Sequence, residues 1–267
     1  MKFCSYIAFS WICFFLVLAG KASGQNLVGH WTFEPGEELL DRTGNFSPLI
    51  LKDVEILDGY LHLDSAGGAH AKDYSGPNIY SNRTMVCWLE MNDLDAISGH
   101  LMTTQAKGRA FKESILYHGL YPRNWNQASE FWYRSFLDSA VFEETKVDTL
   151  LQIAIVSKEL DKDRITVTIY RNGEKLVTYE ALKSPPFYTG STEVCFGFDG
   201  RLTDDFPMWM DCKLEEARLY NKALSQEEIK SLNIVKIPPS TSHWWWIIGA
   251  VLLLVAGVFG YRKVFVK

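Results

Sequence analysis

Residues 165–174 read ITVTIYRNGE, with Asn172 and Gly173 at the point where one strand-like pattern ends and the next begins. Apolar and polar residues alternate along this stretch, which is the period of a half-buried β-strand. Asn and Gly both accept the positive φ angles of a two-residue turn, so an Asn-Gly pair between two strand patterns is a strong hairpin signal. The stretch predicts two antiparallel strands joined by a tight turn.

The same alternation recurs on both sides of this hairpin. Further predicted strands lie at 27–33, 60–63, 85–89, 151–156, 193–198 and 213–220. Glycine-containing turn signals separate them, as expected of an all-β chain. A region of little over 200 residues is a suitable size for one β-sandwich.

One short segment is predicted to be a helix. Ser225 and Glu228 have the spacing of a capping box, in which the serine hydroxyl and the glutamate carboxylate bind exposed amide groups reciprocally. Ile229 and Leu232 give this segment an apolar side. Such a short helix is not stable alone, so it must pack on the sandwich.

The N-terminal 24 residues are predicted to be a secretory signal peptide. Lys2 precedes an apolar run that ends near Leu18, and small residues follow up to Gly24. The alternative is a membrane anchor, but the run is shorter than the roughly 20 residues that a span needs. Gln25 is the predicted mature start.

The C-terminal region is predicted to cross a membrane once. Residues 244–261 are uncharged and apolar, with tryptophans at one edge and Tyr261 at the other. The basic tail, 262–267, predicts a cytoplasmic end, which places residues 25–243 outside. A lipid-anchor signal and a bacterial sorting tail are the alternatives. Between the domain, 25–233, and the span, residues 234–243 are predicted to be a linker.

Composition and cysteines narrow the function classes. The formal net charge is −5 and no basic stripe occurs in the ectodomain, so nucleic acid is not an expected partner. Cys87, Cys195 and Cys212 remain after signal removal, in a compartment where disulfides form. Cys195 and Cys212 are on consecutive predicted strands and are the favoured pair, with Cys87 buried, although spacing alone does not decide the pairing.

Several of these segments together resemble laminin G-like domains of the concanavalin A-like lectin and glucanase superfamily. The resemblance is carried by HWTFE at 30–34, TMVCWL at 84–89, IYRNGE at 169–174 and the long closing stretch KLEEARLYNKALSQEEI at 213–229. It extends from residue 27 to 233. It implies a jelly-roll sandwich of two antiparallel sheets, with one short C-terminal helix besides the predicted transmembrane helix.

The resemblance also implies a possible structural calcium ion where the first and last strands meet. The carboxylate position of the family motif falls on Glu215, with Glu34 and Asp41 as candidate neighbours. A hard cation there would take carboxylate and carbonyl oxygens. Alternatively, Glu215 faces solvent or pairs with Arg218.

No catalytic residues are predicted. Glucanases of this fold carry two carboxylates on one strand, at a spacing that the nearest string, EMNDLD at 90–95, lacks. Other hydrolase and phosphate-binding motifs are absent from the sequence, and the six histidines lack metal-ligand spacing. The sequence favours a binding protein over an enzyme.

The most distinctive stretch, 117–134, combines aromatic rings with amide and guanidinium groups, as a saccharide site requires. The candidate ligand-binding residues are Tyr117, Tyr121, Arg123, Trp125, Asn126 and Trp132. The alternative is that Phe131 and Tyr133 alternate into the core while Trp125 caps an edge. Asn82 and Asn45 begin glycosylation sequons, and Asn82 is the better acceptor because Pro48 follows the second.

The sequence therefore predicts a membrane-anchored, extracellular binding or adhesion module whose partner is a glycan or a glycosylated surface molecule. A protein-interaction scaffold and, more remotely, a glycan-cleaving enzyme are the alternatives. The sequence does not indicate the ligand or the oligomeric state.

Overall fold

In the computed structural model, the described residues are 26–64, 67–95, 98–109, 111–119, 123–130, 134–135, 142–198 and 210–236. The strands are β1 (Leu27–Trp31), β2 (Ile50–Lys52), β3 (Glu55–Leu57), β4 (Tyr60–Leu63), β5 (Gly68–Ala71), β6 (Arg83–Met91), β7 (Ser98–Ala106), β8 (Lys112–His118), β9 (Asn124–Ser129), β10 (Leu150–Glu159), β11 (Arg164–Arg171), β12 (Glu174–Leu182), β13 (Thr192–Phe196) and β14 (Cys212–Tyr220); the helix α1 is Gln226–Ser231.

The strands form two antiparallel sheets that face each other. The eight-stranded sheet has the order β12-β11-β10-β6-β14-β4-β3, with β1 pairing to β14, and the six-stranded sheet has the order β2-β5-β13-β7-β8-β9. The first and last strands, β1 and β14, are therefore neighbours. This arrangement confirms the predicted all-β class with two antiparallel sheets and a short helix, and it is consistent with a jelly-roll sandwich.

The predicted hairpin at Asn172-Gly173 is present and joins β11 to β12. Asn172 and Gly173 have φ angles of 51° and 74°, and Arg171 pairs with Glu174 across the turn. Positive φ at both central residues is the geometry that matches the right-handed twist of the flanking strands. The other predicted strands also coincide with observed ones.

Two apolar clusters hold the layers together. The larger one fills the space between the sheets, where Trp31 is fully buried and its ring centroid lies 5.2 Å from that of Phe196. The smaller one covers the outer side of the eight-stranded sheet, where Ile229 of α1 packs against strand residues such as Trp88 and Tyr170. The predicted Ser225–Glu228 capping box is present at the start of α1 and is confirmed. The helix covers this second cluster with its buried residue Ile229.

No helix within the described ranges is long and apolar enough to cross a membrane. The predicted signal peptide, 1–24, and the predicted transmembrane segment, 244–261, both lie outside the described residues.

Two crossover segments meet at one end of the sandwich. Residues 72–82 lead from β5 in one sheet to β6 in the other, and residues 183–191 lead back from β12 to β13. They are joined by a pair of backbone hydrogen bonds of 2.9 Å between Ile79 and Phe187.

Candidate functional site

Two of the predicted saccharide-binding residues are part of the core. Tyr117 has no exposed surface, and its hydroxyl donates a 2.8 Å hydrogen bond to the Leu94 carbonyl. Trp125 is 4% exposed, and its ring centroid lies 5.2 Å from that of Tyr117. Neither ring offers a face to a ligand, so both residues are packed in the core and do not form the predicted saccharide platform.

Trp125 is further held by a buried carboxylate. Its Nε1 donates a 3.0 Å hydrogen bond to Glu144, which also accepts bonds of 2.8 and 2.9 Å from the Arg171 guanidinium. Burial alone would raise the pKa of Glu144, but the hydrogen bonds from Arg171 and Trp125 outweigh it and lower the pKa below its ordinary value. The folded state therefore favours the ionised form of the Glu144 carboxylate.

We expect this carboxylate to make stability depend on pH. Because the folded-state pKa of Glu144 lies below the ordinary value of 4.5, its contribution is present above pH 4.5 and is lost as the pH falls through the folded-state pKa. Glu144→Gln should therefore be less stable than the parent at pH 7, and the difference should shrink at lower pH. Melting curves at several pH values measure this, and a difference that does not vary with pH would contradict it.

Of the remaining predicted ligand residues, Arg123 and Asn126 lie within the described ranges. Arg123 is paired with the exposed carboxylate of Asp95, and Asn126 is partly buried on β9. Tyr121 and Trp132 lie outside the described residues.

The three residues proposed for calcium do not converge on one point. Asp41 is 7% exposed, and its carboxylate accepts hydrogen bonds from groups of the chain between 2.6 and 3.0 Å away, including the backbone amides of His30, Asn45 and Phe46. Asp41 therefore organises the turn after β1. Glu34 and Glu215 instead approach the ammonium group of Lys236. In the described part of the chain, no three His, Cys, Asp or Glu residues are grouped as a metal site.

The predicted Cys195–Cys212 disulfide is also corrected. The two residues lie on consecutive strands of the chain, but β13 belongs to the six-stranded sheet and β14 to the eight-stranded sheet. Both thiols are buried and no disulfide joins them. Cys87 is buried in the core as predicted, and burial raises the pKa of its thiol. These cysteines behave as small apolar residues.

The two sequons differ in their surroundings. Asn82 is exposed, and its side-chain oxygen accepts a 2.9 Å hydrogen bond from the Glu159 amide. The side-chain nitrogen of Asn45, the atom that would carry a glycan, donates a 3.1 Å hydrogen bond to Val28. Asn82 stays the better acceptor, and its glycosylation stays a prediction.

The outer face of the six-stranded sheet is polar but closed. Thr103 donates a 2.9 Å hydrogen bond to Ser114, and His100 Nδ1 lies 2.8 Å from the same hydroxyl. Gln105 is only 2% exposed and donates to Glu193 at 3.1 Å. Except for Glu193, the side chains of this network are almost inaccessible to solvent. The network therefore stabilises the sheet and presents little surface to a large ligand.

An open aromatic surface occurs instead where the two crossover segments meet. Tyr80 is 57% exposed and Tyr188 is 50% exposed, and they are the aromatic members of the exposed large apolar residues in the described ranges. Each directly follows one residue of the Ile79–Phe187 bridge. Because successive side chains of extended backbone point to opposite sides, burial of Ile79 and Phe187 directs both tyrosines outward. We call Tyr80 and Tyr188 the tyrosine pair.

A buried arginine fixes the backbone beneath this pair. Arg83 donates a 2.9 Å hydrogen bond to the Tyr80 carbonyl and another hydrogen bond to the Ser184 hydroxyl, so one guanidinium contacts both crossover segments. Its charge also lies 4.9 Å above the Phe187 ring. These contacts of Arg83 hold the backbone of both crossover segments in place beneath the tyrosine pair.

Polar groups lie on the same two crossover segments as the tyrosine pair. The Asn78 side-chain oxygen accepts a 3.0 Å hydrogen bond from the Thr189 amide, and Lys183 forms a 2.8 Å ion pair with Glu159 at the end of β10. The Lys183 side chain is 29% exposed and that of Glu159 is 45% exposed. Amide, hydroxyl and ammonium groups are thus available on the segments that carry the two rings, and a carboxylate is paired with one of them.

No protein-family model matches this chain, and no curated protein matches it in sequence. Among solved structures, it resembles domain 4 of AbnA, a GH43 extracellular arabinanase from Geobacillus stearothermophilus, in complex with arabinotriose. The TM-score is 0.56 at 19% identity, and the match covers 76% of this chain and 96% of that domain.

A sialidase from Trypanosoma rangeli, in complex with a difluoro-nononic acid, matches with a TM-score of 0.53 at 15% identity. The match covers 78% of this chain but only 32% of the sialidase, so the chain spans about a third of that protein. At these identities the two likenesses show a shared β-sandwich fold.

Proposed function

We propose that this chain is a laminin G-like, carbohydrate-binding domain whose ligand stacks on the tyrosine pair, Tyr80 and Tyr188. The observation that carries the proposal is the exposure of both rings, 57% and 50%, on adjoining segments of a rigid end of the sandwich. Exposed apolar patches that are bordered by polar residues mark ligand-binding or protein-interaction sites.

The chemistry of the pair suits a sugar. A tyrosine ring offers an apolar face to the C–H surface of a pyranose or furanose, and its hydroxyl offers a hydrogen bond. Asn78 and the Lys183–Glu159 pair would supply directional bonds to ring hydroxyls. The combination of flat rings with a few polar groups is typical of a small-molecule site.

The structural neighbours give limited support. The arabinanase domain was solved with arabinotriose, and the sialidase was solved with a nonulosonic acid derivative. Those ligands belong to those proteins, and the sialidase match covers only 32% of that chain, so the more direct support comes from the arabinanase domain, which is covered to 96%. Because fold alone does not determine function, the tyrosine pair remains the basis of the proposal.

We propose binding without cleavage. Glu159, whose amide binds Asn82 of the first crossover segment, is neutralised by Lys183, whereas glycoside hydrolysis needs two carboxyl groups on either side of the scissile bond. Incubation with polysaccharides should therefore release no reducing ends. Measurable release that disappears in Glu159→Gln would instead support an enzyme.

We also propose that the domain acts outside the cell, tethered by residues 244–261, as the predicted signal peptide and apolar segment favour. Deleting residues 244–267 should convert the protein from a membrane-bound to a secreted form. A truncated protein that still pelleted with membranes after a salt wash would contradict this topology.

Substituting the tyrosines should separate binding from folding. Tyr80→Ala and Tyr188→Ala should each weaken glycan binding about tenfold, since 1.4 kcal/mol of lost stacking is one decade in affinity. The melting temperature should change little because both rings are exposed. A glycan array with the parent protein identifies the ligand, and titration calorimetry of the variants measures the loss.

Two control variants test whether the loss of glycan affinity comes from the tyrosine ring or from any exposed apolar side chain. Tyr188→Phe keeps the ring and should retain most of the affinity, whereas Leu182→Ala removes an apolar side chain of similar exposure, 58%, without removing a ring. Equal losses in Leu182→Ala and Tyr188→Ala would indicate a general apolar contact, as in a protein-interaction scaffold. An array without any bound glycan would reject the saccharide proposal.

A further inference from the structure

The residues that follow helix α1 lie against the outer side of the eight-stranded sheet. The amide of Val235 donates a 2.7 Å hydrogen bond to the Glu216 carboxylate, and the Arg218 guanidinium donates a 2.5 Å bond to the Asn233 carbonyl. Leu232 and Ile234 pack against the apolar cluster beneath α1. The segment 232–236, which we call the C-terminal strap, is therefore part of the folded domain, although linker sequence was predicted from residue 234.

Glu216 is the centre of this attachment. Its carboxylate has no exposed surface, lies 2.7 Å from His30 Nε2 on β1 and accepts a 2.5 Å hydrogen bond from Arg218. Burial would raise the pKa of Glu216, but the contacts with His30, Arg218 and the Val235 amide lower it. The strap is thus bound to the first and last strands by one ionised carboxylate.

The end of the strap brings an ammonium group to the place where calcium was expected. Lys236 is paired with Glu215, and its Nζ lies 3.8 Å from Glu34 and 5.8 Å from the centre of the Tyr60 ring. The Glu215 side chain is 4% exposed and that of Glu34 is 13% exposed. Two nearly buried carboxylates therefore share one cation supplied by the chain.

The strand geometry explains why Glu215 reaches this position. The register of β14 against β6 shifts between Leu214 and Glu216, which leaves Glu215 as an extra residue. A bulge of this kind re-aims a side chain relative to its neighbours on the strand. Glu215 and Glu216 therefore contact different parts of the strap.

These residues do not fit a calcium ion. Calcium takes six to eight oxygen ligands. Of the three carboxylates proposed for it, Asp41 is committed to the turn after β1, and Lys236 places its ammonium group against those of Glu215 and Glu34. We propose that Lys236 is the resident cation where β1 and β14 meet, and that it fixes the end of the C-terminal strap. This proposal is independent of saccharide binding.

The test uses the full-length protein, thermal unfolding and amide hydrogen exchange. The melting temperature of the parent should be the same in millimolar calcium chloride and in chelator. Lys236→Met should lower the melting temperature by roughly 3–6 °C, because the buried Glu215 loses its partner in a domain of this size. Exchange should accelerate at the amides of 233–236 while the tyrosine pair keeps its ligand affinity.

Lys230→Met is the matched control. The Glu174 partner of Lys230 is 70% exposed, whereas the Glu215 partner of Lys236 is 4% exposed, although Lys236 itself is 64% exposed. Removal of Lys230 leaves no buried charge without a partner and should leave both measurements unchanged. Stabilisation of the parent by calcium would overturn the proposal, since a metal would then displace Lys236. Unchanged melting and exchange in Lys236→Met would also overturn it.

Discussion

Trp125→Ala should lower the free energy of unfolding by about 3–5 kcal/mol, as large-to-small substitutions of buried aromatic residues do. The indole is 4% exposed, contacts the Tyr117 ring and donates to Glu144. Its loss leaves a cavity and removes a donor from a buried carboxylate. For a domain of this size the melting temperature should fall by roughly 6–20 °C.

The control for this prediction is Trp125→Phe. Phenylalanine refills much of the volume but cannot donate to Glu144, so we expect a smaller loss, about 1–3 kcal/mol. Glycan affinity, measured well below the melting temperature, should stay close to that of the parent in both variants. A variant that melts normally but loses its ligand would place Trp125 in the binding site and would contradict the core position.

The regular parts of the fold were predictable because local signals specified them. Asn172 and Gly173 determine a turn whatever surrounds them, and Ser225 and Glu228 cap α1 within four residues. The pairing of β13 with β7 rather than with β14 has no such local signal. For that reason the sequence placed Cys195 and Cys212 close together, whereas the structure puts them on different sheets.

The candidate site was less predictable, since aromatic composition does not say which way a ring points. Trp125 alternates inward on β9 and meets Glu144, which comes from a different part of the chain. The sequence gives only a weak indication of Tyr80 and Tyr188 as site residues. Each is a single tyrosine next to one apolar residue, and each lies in a short segment far from the other in the chain. Only the Ile79–Phe187 bridge, a contact between distant segments, shows that both tyrosines face solvent on adjoining backbone.

The second large effect is expected at the buried charge cluster beneath the tyrosine pair. Arg83 on β6 is 2% exposed and forms two hydrogen bonds with Glu113 on β8, which is 1% exposed, so this pair connects the two sheets. Arg134 also approaches Glu113, at 3.7 Å. Removing one partner of a buried ion pair costs about 3–5 kcal/mol, because the other charge remains desolvated.

Arg83→Met should therefore destabilise the domain by about that amount, and it should also weaken glycan binding. The second effect follows from the hydrogen bonds to the Tyr80 carbonyl and the Ser184 hydroxyl, since without them the two crossover segments lose their common support. Melting temperature and affinity are measured on the same variant, at a temperature where it is folded.

The double variant Arg83→Met with Glu113→Gln distinguishes the two effects. Neutralising residue 113 removes the carboxylate charge that Arg83 balanced, while Arg134 keeps its ion pair with Glu130, so much of the lost stability should return. The hydrogen bonds to Tyr80 and Ser184 remain absent, so affinity should stay low. If stability and affinity recovered together in the double variant, Arg83 would affect the tyrosine pair only through the stability of the whole domain. If affinity did not fall in Arg83→Met, ligand binding to the tyrosine pair would not depend on the Arg83 hydrogen bonds.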